Sequence, residues 1–193
     1  MKNMISRIDH VSLAVKDFEK AKNFFMEILG AIPCRNAEDD NLRYYWEIFS
    51  VGDLSRMELI KATGEGSFLD NFLESRTNGA HHITVETPDL NQFRKKLEEK
   101  GVPYFGYREA SGNWKELFIH PRDAFGILIQ VAELNSDDWL SDAVKFPPDQ
   151  RWEIEKTGDG ANLILAHPGG GKARFPFSRE EIQNLINDLE KTL

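Results

Sequence analysis

Ile8-Asp9-His10-Val11-Ser12-Leu13 and Ala80-His81-His82-Ile83-Thr84-Val85 are two versions of one segment, and their spacing decides how the chain is read. Each leads through an aspartate, Asp17 or Asp89, into an apolar-striped helical pattern closed by a glycine, Gly30 or Gly101. His10 and His82 lie 72 positions apart, and so do Asp17 and Asp89. Farther along, Glu58 in Arg56-Met57-Glu58-Leu59-Ile60 and Gln130 in Leu128-Ile129-Gln130-Val131-Ala132 keep the same interval. Self-similarity at a fixed spacing marks a duplicated structural unit. A unit with a histidine near its start and a carboxylate or carboxamide near its end predicts one metal site between two halves.

Working outward, residues 8–15 alternate. Val11, Leu13 and Val15 face one way, and Ile8, His10, Ser12 and Ala14 the other, as in a half-buried strand. Asp17 is placed to cap a helix whose Phe18, Ala21, Phe25, Ile28 and Leu29 form its stripe, with Gly30 as the stop. Strands follow at Arg43–Phe49 and Arg56–Ile60, around the turn Val51-Gly52-Asp53. A short connecting helix is expected within 66–76. The second unit repeats the order: strand 80–86, helix 89–100, then strands near 103–107, 114–119 and 125–132. The prediction is an α+β fold of paired βαβββ modules, about 5–62 and 79–133, in a domain spanning 1–134. Two sheets would curl around a shared cleft, with helices on their outer faces.

Residues 135–193 break the repeat and form a separate C-terminal extension. Asn135-Ser136-Asp137-Asp138 and Phe146-Pro147-Pro148 read as linker. Strand patterns near 152–156 and 162–166 precede a glycine-rich turn at 167–172, the segment Ala173–Phe177, and a helix. Ser178 and Glu181 form a capping box there, and Ile182, Leu185, Ile186 and Leu189 a stripe. This predicts a small ββα appendage serving as packing element, lid or dimer contact. The glycine-rich turn lacks the Gly-x-x-x-x-Gly-Lys-Ser/Thr spacing of a phosphate loop, since Ala166 and Ala173 hold its outer positions.

Composition narrows the functional classes. Net charge is −8, from 24 basic and 32 acidic residues, which argues against general nucleic-acid binding. The single cysteine, Cys34, excludes an intrachain disulfide. No apolar run reaches membrane-spanning length, and the N-terminal residues carry no secretory pattern. The expected setting is therefore cytoplasmic, with a small-molecule substrate, no nucleic acid, no membrane, and a homodimer as the assembly.

Two imidazoles, a carboxylate and an amide oxygen suit one divalent ion, with Zn, Co, Ni, Mn and Fe all open. His10, Glu58, His82 and Gln130 are the candidate ligands. Within strand 80–86, alternation predicts that His81 points to the face opposite His82. His120, before Pro121, is read as shaping a strand end.

The paired modules resemble the vicinal oxygen chelate superfamily, which includes glyoxalase I, bleomycin-resistance proteins, extradiol dioxygenases and methylmalonyl-CoA epimerases. Ile8-Asp9-His10-Val11 resembles the epimerases' opening strand. Phe72-Leu73 through Gly79-Ala80-His81-His82-Ile83 resembles the entry to their second module. Gly112-Asn113, Phe118-Ile119-His120-Pro121 and Gly126-Ile127-Leu128-Ile129 resemble their closing hairpin. The resemblance implies metal positions at His10, Glu58, His82 and Gln130, with glutamate and glutamine exchanged relative to the epimerase order. It implies catalytic carboxylates at Glu58 and at Glu47, in Trp46-Glu47-Ile48, removing and returning a proton alpha to the carbonyl of an acyl-CoA thioester. A glyoxalase-type lyase, an Fe(II) dioxygenase and a non-catalytic binding protein are the alternatives within the superfamily.

Overall fold

The computed structural model describes residues 4–52, 55–110, 114–167 and 169–193. Asp53 of the expected turn, Gly112 and Asn113 of the closing hairpin, and Pro168 lie outside the described residues. The first module runs β1 (Arg7–Val15), α1 (Phe18–Asn23), β2 (Ile32–Asp39), β3 (Tyr44–Val51) and β4 (Ser55–Ala62). A short α2 (Asp70–Glu74) leads to β5 (Asn78–Glu86), α3 (Leu90–Lys100), β6 (Phe105–Ala110), β7 (Trp114–Ile119) and β8 (Leu128–Glu133). These strands form one eight-stranded sheet in the order β2-β3-β4-β1-β5-β8-β7-β6. The expectation of two sheets is corrected here: antiparallel pairing of β1 with β5 joins the modules edge to edge. β1 is parallel to β4, and β5 to β8, so the four strands carrying the repeated polar positions are neighbours at the centre.

Both aspartates cap as expected. The Asp17 side chain accepts from the Lys20 N–H and Asp89 from the Gln92 N–H, each such cap contributing about 1 kcal/mol. α1 seals one outer face with Phe18 and Phe25 against Val15, Phe49 and Leu59. α3 does the same with Leu90 and Leu97 against Leu117, Ile119 and Val131. The stripe read through Ile28 and Leu29 ends early, and both are exposed. Residues Phe24–Ile28 wind as a π turn, whose extra residue per turn rotates the last apolar positions off the buried face.

The strand read from 125 starts only at Leu128, because Phe125 and Gly126 take positive φ in the preceding turn. His120 caps that turn, its Nδ1 accepting from the Arg122 N–H.

The extension holds three strands rather than two: β9 (Trp152–Lys156), β10 (Gly160–Ala166) and β11 (Lys172–Ser178), in the order β11-β10-β9. Ala173–Phe177 pairs residue for residue with β10. The capping box of Ser178 and Glu181 opens α4 (Arg179–Glu190). The glycine-rich turn packs against the main sheet. A Cβ at Gly169 would stand 2.7 Å from the Arg7 side chain, and Gly170 combines a φ of +86° with the Leu140 and Ser136 side chains close by. Only glycine fits there.

Candidate metal centre and reaction cleft

Alternation along the central strands delivers the site. Ser12 on β1 pairs with Glu58 on β4 and with His82 on β5, while His10 pairs with Thr84, and Thr84 with Gln130 on β8. Ligand atoms of His10, Glu58 and His82 all lie within 4.8 Å of one another, and all three residues are buried. Glu58 Oε2 is 3.8 Å from His10 Nε2 and 3.5 Å from His82 Nε2. That oxygen is buried without a hydrogen-bond partner. A carboxylate oxygen orphaned between two imidazole nitrogens is costly unless a cation joins them, so these residues fit a divalent metal. Gln130 closes the group: its Oε1 accepts from Thr84 Oγ1, which lies 2.9 Å from His10 Nε2.

The two histidines are oriented by matching irregularities. β1 and β5 slip register at Asp9 and at His81, so each residue preceding a site histidine is the extra residue of a bulge. The alternation expected for His81 is therefore corrected, for the bulge turns its ring toward the cleft beside His82. The Asp9 carboxylate accepts from His10 Nδ1 at 2.7 Å. His81 Nδ1 lies 2.9 Å from His82 Nδ1, its ring edge-on to Phe68 and Phe72. With each Nδ1–H donated backward, each Nε2 presents a lone pair forward, the arrangement that fixes a metal-binding imidazole.

Burial sets the electrostatics. It raises the Glu58 carboxyl, against the opposing pull of His10. It pushes His82 well below the usual imidazole range, with His10 and His81 adding to the effect, and brings His81 down to about 4. Asp9 departs the other way. Burial would raise it, but the hydrogen bond with His10 and the charges of Arg56 and Arg7 together hold it at about 2. A metal ion requires neutral imidazole, the state that burial favours at His82.

Glu47 is not brought to this group. On β3 the residues facing the cleft are Tyr44, Trp46 and Ile48, so Glu47 faces α1, where Lys22 Nζ donates to it at 2.9 Å and Tyr45 also bonds it. Side chains alternate along β3, so Glu47, between the cleft-facing Trp46 and Ile48, lies on the other face of the sheet. A different carboxylate occupies the cleft. Glu116 on β7, 2% exposed, accepts from Gln130 Nε2, from Trp114 Nε1 at 2.8 Å and from the Arg108 guanidinium. Alternation through Trp114, Glu116 and Phe118 placed it on the face shared with Gln130, which is the signal that could have found it.

The cleft has two chambers around this centre. One, of about 540 Å³, is walled by Arg35, Trp46, Trp114, Trp139 and Lys145. The other, of about 410 Å³, is walled by Leu42, Phe68, His81, Phe105, Phe118 and Leu128. Tyr44, Glu58, Arg108, Glu116 and Gln130 border both. The Tyr44 phenol is held above its ordinary range by burial, reinforced by Glu58 and Glu116.

A curled sheet of paired βαβββ modules, with a His-Glu-His cluster on its central strands, defines a class, and comparison places the chain in it. Residues 9–118 match the Glyoxalase/Bleomycin resistance protein/Dioxygenase superfamily, and the chain belongs to that superfamily. It is 34% identical over 136 residues to an ethylmalonyl-CoA/methylmalonyl-CoA epimerase of Cereibacter sphaeroides, covering 68% of this chain and all of that one. It is 28% identical over 132 residues to the mitochondrial methylmalonyl-CoA epimerase of Homo sapiens, covering 67% of this chain and 74% of the relative. The crystal structure of methylmalonyl-CoA epimerase from Mycobacterium tuberculosis superposes with a TM-score of 0.64 at 27% identity, over 69% of this chain and 91% of that one. Among the described residues no helix is long and apolar enough to cross a membrane.

Proposed function

We propose that the protein is a metal-dependent enzyme that moves the proton alpha to the carbonyl of an acyl-CoA thioester, an epimerase-type reaction. The observation that carries this reading is Glu116. It is a buried carboxylate at the edge of the His10-Glu58-His82 cluster, fixed by three donors and opening on both chambers. His10, Glu58 and His82 hold the ion, with the Gln130 carboxamide oxygen as fourth ligand. Bound there, a divalent ion supplies Lewis-acid stabilisation of the thioester oxygen as negative charge develops.

Glu116 takes the proton: the C–H bond breaks, its electron pair moves into the carbonyl, and the proton rests on the carboxylate. Arg108 and Trp114 aim that carboxylate through their hydrogen bonds to it. Gln130, which has no basic group, links base to ligand set through its amide. On β3, Tyr44 borders both chambers and offers its hydroxyl as a proton donor, so return of a proton from that side inverts the carbon. The relatives named as ethylmalonyl-CoA and methylmalonyl-CoA epimerases support a branched malonyl-type thioester as substrate.

The test is deuterium uptake at the alpha carbon of methylmalonyl-CoA and ethylmalonyl-CoA in D2O by metal-reconstituted protein, followed by mass spectrometry. Uptake that needs both the ion and Glu116 is expected. Uptake undiminished in Glu116→Gln would remove Glu116 as the base, and none with any malonyl-type thioester would sink the reading.

A further inference from the structure

The first chamber is not built by the two modules alone. Trp139 comes from the extension, beyond the stretch matched to the family, and lies in a 3₁₀ turn (Ser136–Trp139) that begins just after β8. Its indole wedges between the modules, 5.6 Å from Trp46 on β3 and 4.7 Å from Trp114 on β7. The turn is fastened from below. Arg56 donates to the Ser136 carbonyl, Arg7 to Ser136 Oγ, and Ser136 Oγ donates to Glu86 at 3.0 Å. Arg35 lies over the Trp139 ring at 5.2 Å and donates to the Asp138 carbonyl at 2.8 Å.

On a chain of net charge −8, the wall of this chamber sets three cations, Arg35, Arg108 and Lys145, beside the carboxylates Glu58, Glu116 and Asp138. Among the described residues Arg35 makes no ion pair, and Lys145 pairs with Asp142 alone, which is 97% exposed and holds it weakly, and donates to the Asp137 carbonyl at 3.4 Å. Arg108 is committed to Glu116 and Asp39, so Arg35 and Lys145 are the two cations left for an external anion. Indole faces beside a guanidinium and an ammonium are the chemistry that binds a phosphorylated nucleotide, by stacking and by charge-assisted hydrogen bonds.

We propose that the extension turns this end of the cleft into a carrier subsite. Arg35, Trp139 and Lys145 bind the phosphate-bearing nucleotide portion of the coenzyme A thioester while the acyl end reaches the metal centre. The inference rests on the thioester reading above, but it is tested without turnover. Ser136, anchored on Arg7, Arg56 and Glu86, holds the turn that carries Trp139 into the cleft, and Lys145 lines the same chamber, so the extension acts as part of the binding site.

The experiment titrates full-length, metal-free protein with free coenzyme A and, separately, with pantetheine, following indole fluorescence and calorimetry. Coenzyme A should bind at least about 10-fold more tightly than pantetheine, with an affinity that falls as salt rises, because phosphate contacts supply the difference. The exposed-side substitutions Arg35→Ala and Lys145→Ala should each weaken coenzyme A about 5- to 10-fold and leave pantetheine unchanged. Trp139→Phe should retain most of the affinity, and Trp139→Ala should lose it. Equal binding of the two ligands, or coenzyme A binding indifferent to Arg35→Ala and Lys145→Ala, would overturn the proposal. Carrier binding as described, together with absence of alpha-deuterium uptake, would instead defeat the reaction assigned above and leave the subsite standing.

Discussion

Asp9→Asn is the substitution with the most to reveal. Asp9 is 2% exposed and serves two masters: it accepts from His10 Nδ1 and it neutralises Arg56, whose side chain is 1% exposed, together with Arg7. The asparagine keeps the shape and removes the charge. Leaving a buried guanidinium uncompensated costs roughly 3–5 kcal/mol, a large share of the stability of a domain this size. Loss of the carboxylate behind a metal-binding imidazole weakens the ion by about 10- to 100-fold. The pH dependence separates the two effects. The Asp9 carboxyl sits at about 2, below its ordinary 3.8, so its ionised form stabilises the fold fully above pH 4. That contribution, about 2 kcal/mol, is lost as pH falls through 2. Urea unfolding of metal-free protein at pH 7 and pH 2.5 should therefore show a wild-type advantage that narrows in acid. Competition against a chelator at pH 7, on folded protein, reads the metal term. A variant that binds the ion within about threefold of wild type would refute the orienting role of Asp9, whatever its stability.

Three further outcomes follow from the same geometry. Glu58→Gln should abolish tight metal binding, yet make the metal-free protein more stable at pH 7. A carboxyl raised by burial binds its proton more firmly folded than unfolded, so it lowers stability as pH climbs above 4.5, and chelator-treated thermal melts will show whether the amide removes that loss. Glu47→Gln should cost about 1–3 kcal/mol by unpairing Lys22 under α1 while alpha-deuterium uptake continues; uptake abolished along with intact folding would return Glu47 to the chemistry. Gln130→Glu should hamper uptake: it sets a second carboxylate against Glu116, and the pair must share a proton, visible as a new ionisation in the pH–rate profile.

The duplicated halves were legible because the repeat fixed three things together: strand alternation, an aspartate cap and a glycine stop. His10, Glu58, His82 and Gln130 could be named from spacing alone, and the central strands bring them to one place. β2 was illegible for a physical reason. It is an edge strand whose residues are largely exposed, so no burial pattern imprints alternation on Cys34 through Glu38. His81 was misjudged because a bulge adds one residue where periodicity counts none. Glu116 carries little signal of its own, since its strand reads as an ordinary apolar run interrupted by a charge, and pairing of β7 with β8 brings it to Gln130. Trp139 had no sequence signal at all; its position depends on where the extension folds back.

The repeat builds the site, but its departures from symmetry give the site its direction. Positions 72 apart are His10 and His82, alike, and then Asp9 against His81, Ser12 against Thr84, Glu58 against Gln130. Pairing adds a further contrast, since Trp46 lies opposite Ile60 where Glu116 lies opposite Ala132. One half therefore offers a carboxylate-backed imidazole, a ligand carboxylate and an indole wall. The other offers an imidazole-backed imidazole, a neutral carboxamide and the buried Glu116 carboxylate. A symmetric cavity would present a substrate with two equal faces and no reason to seat its reacting carbon one way. Here the Glu58 carboxylate lies on the β4 side, and the Glu116 carboxylate with its Arg108 partner on the β7 side. With glutamate at 58 and glutamine at 130, one half carries its carboxylate on β4, and in the other half Glu116 places a carboxylate on β7, hydrogen-bonded to Gln130. A double substitution, Gln130→Glu with Glu116→Gln, tests whether these two hydrogen-bonded positions act together. If the two positions are coupled, the double variant should recover more deuterium uptake than either single variant. Independent, additive losses would mean that Glu116 and Gln130 share a hydrogen bond and nothing more.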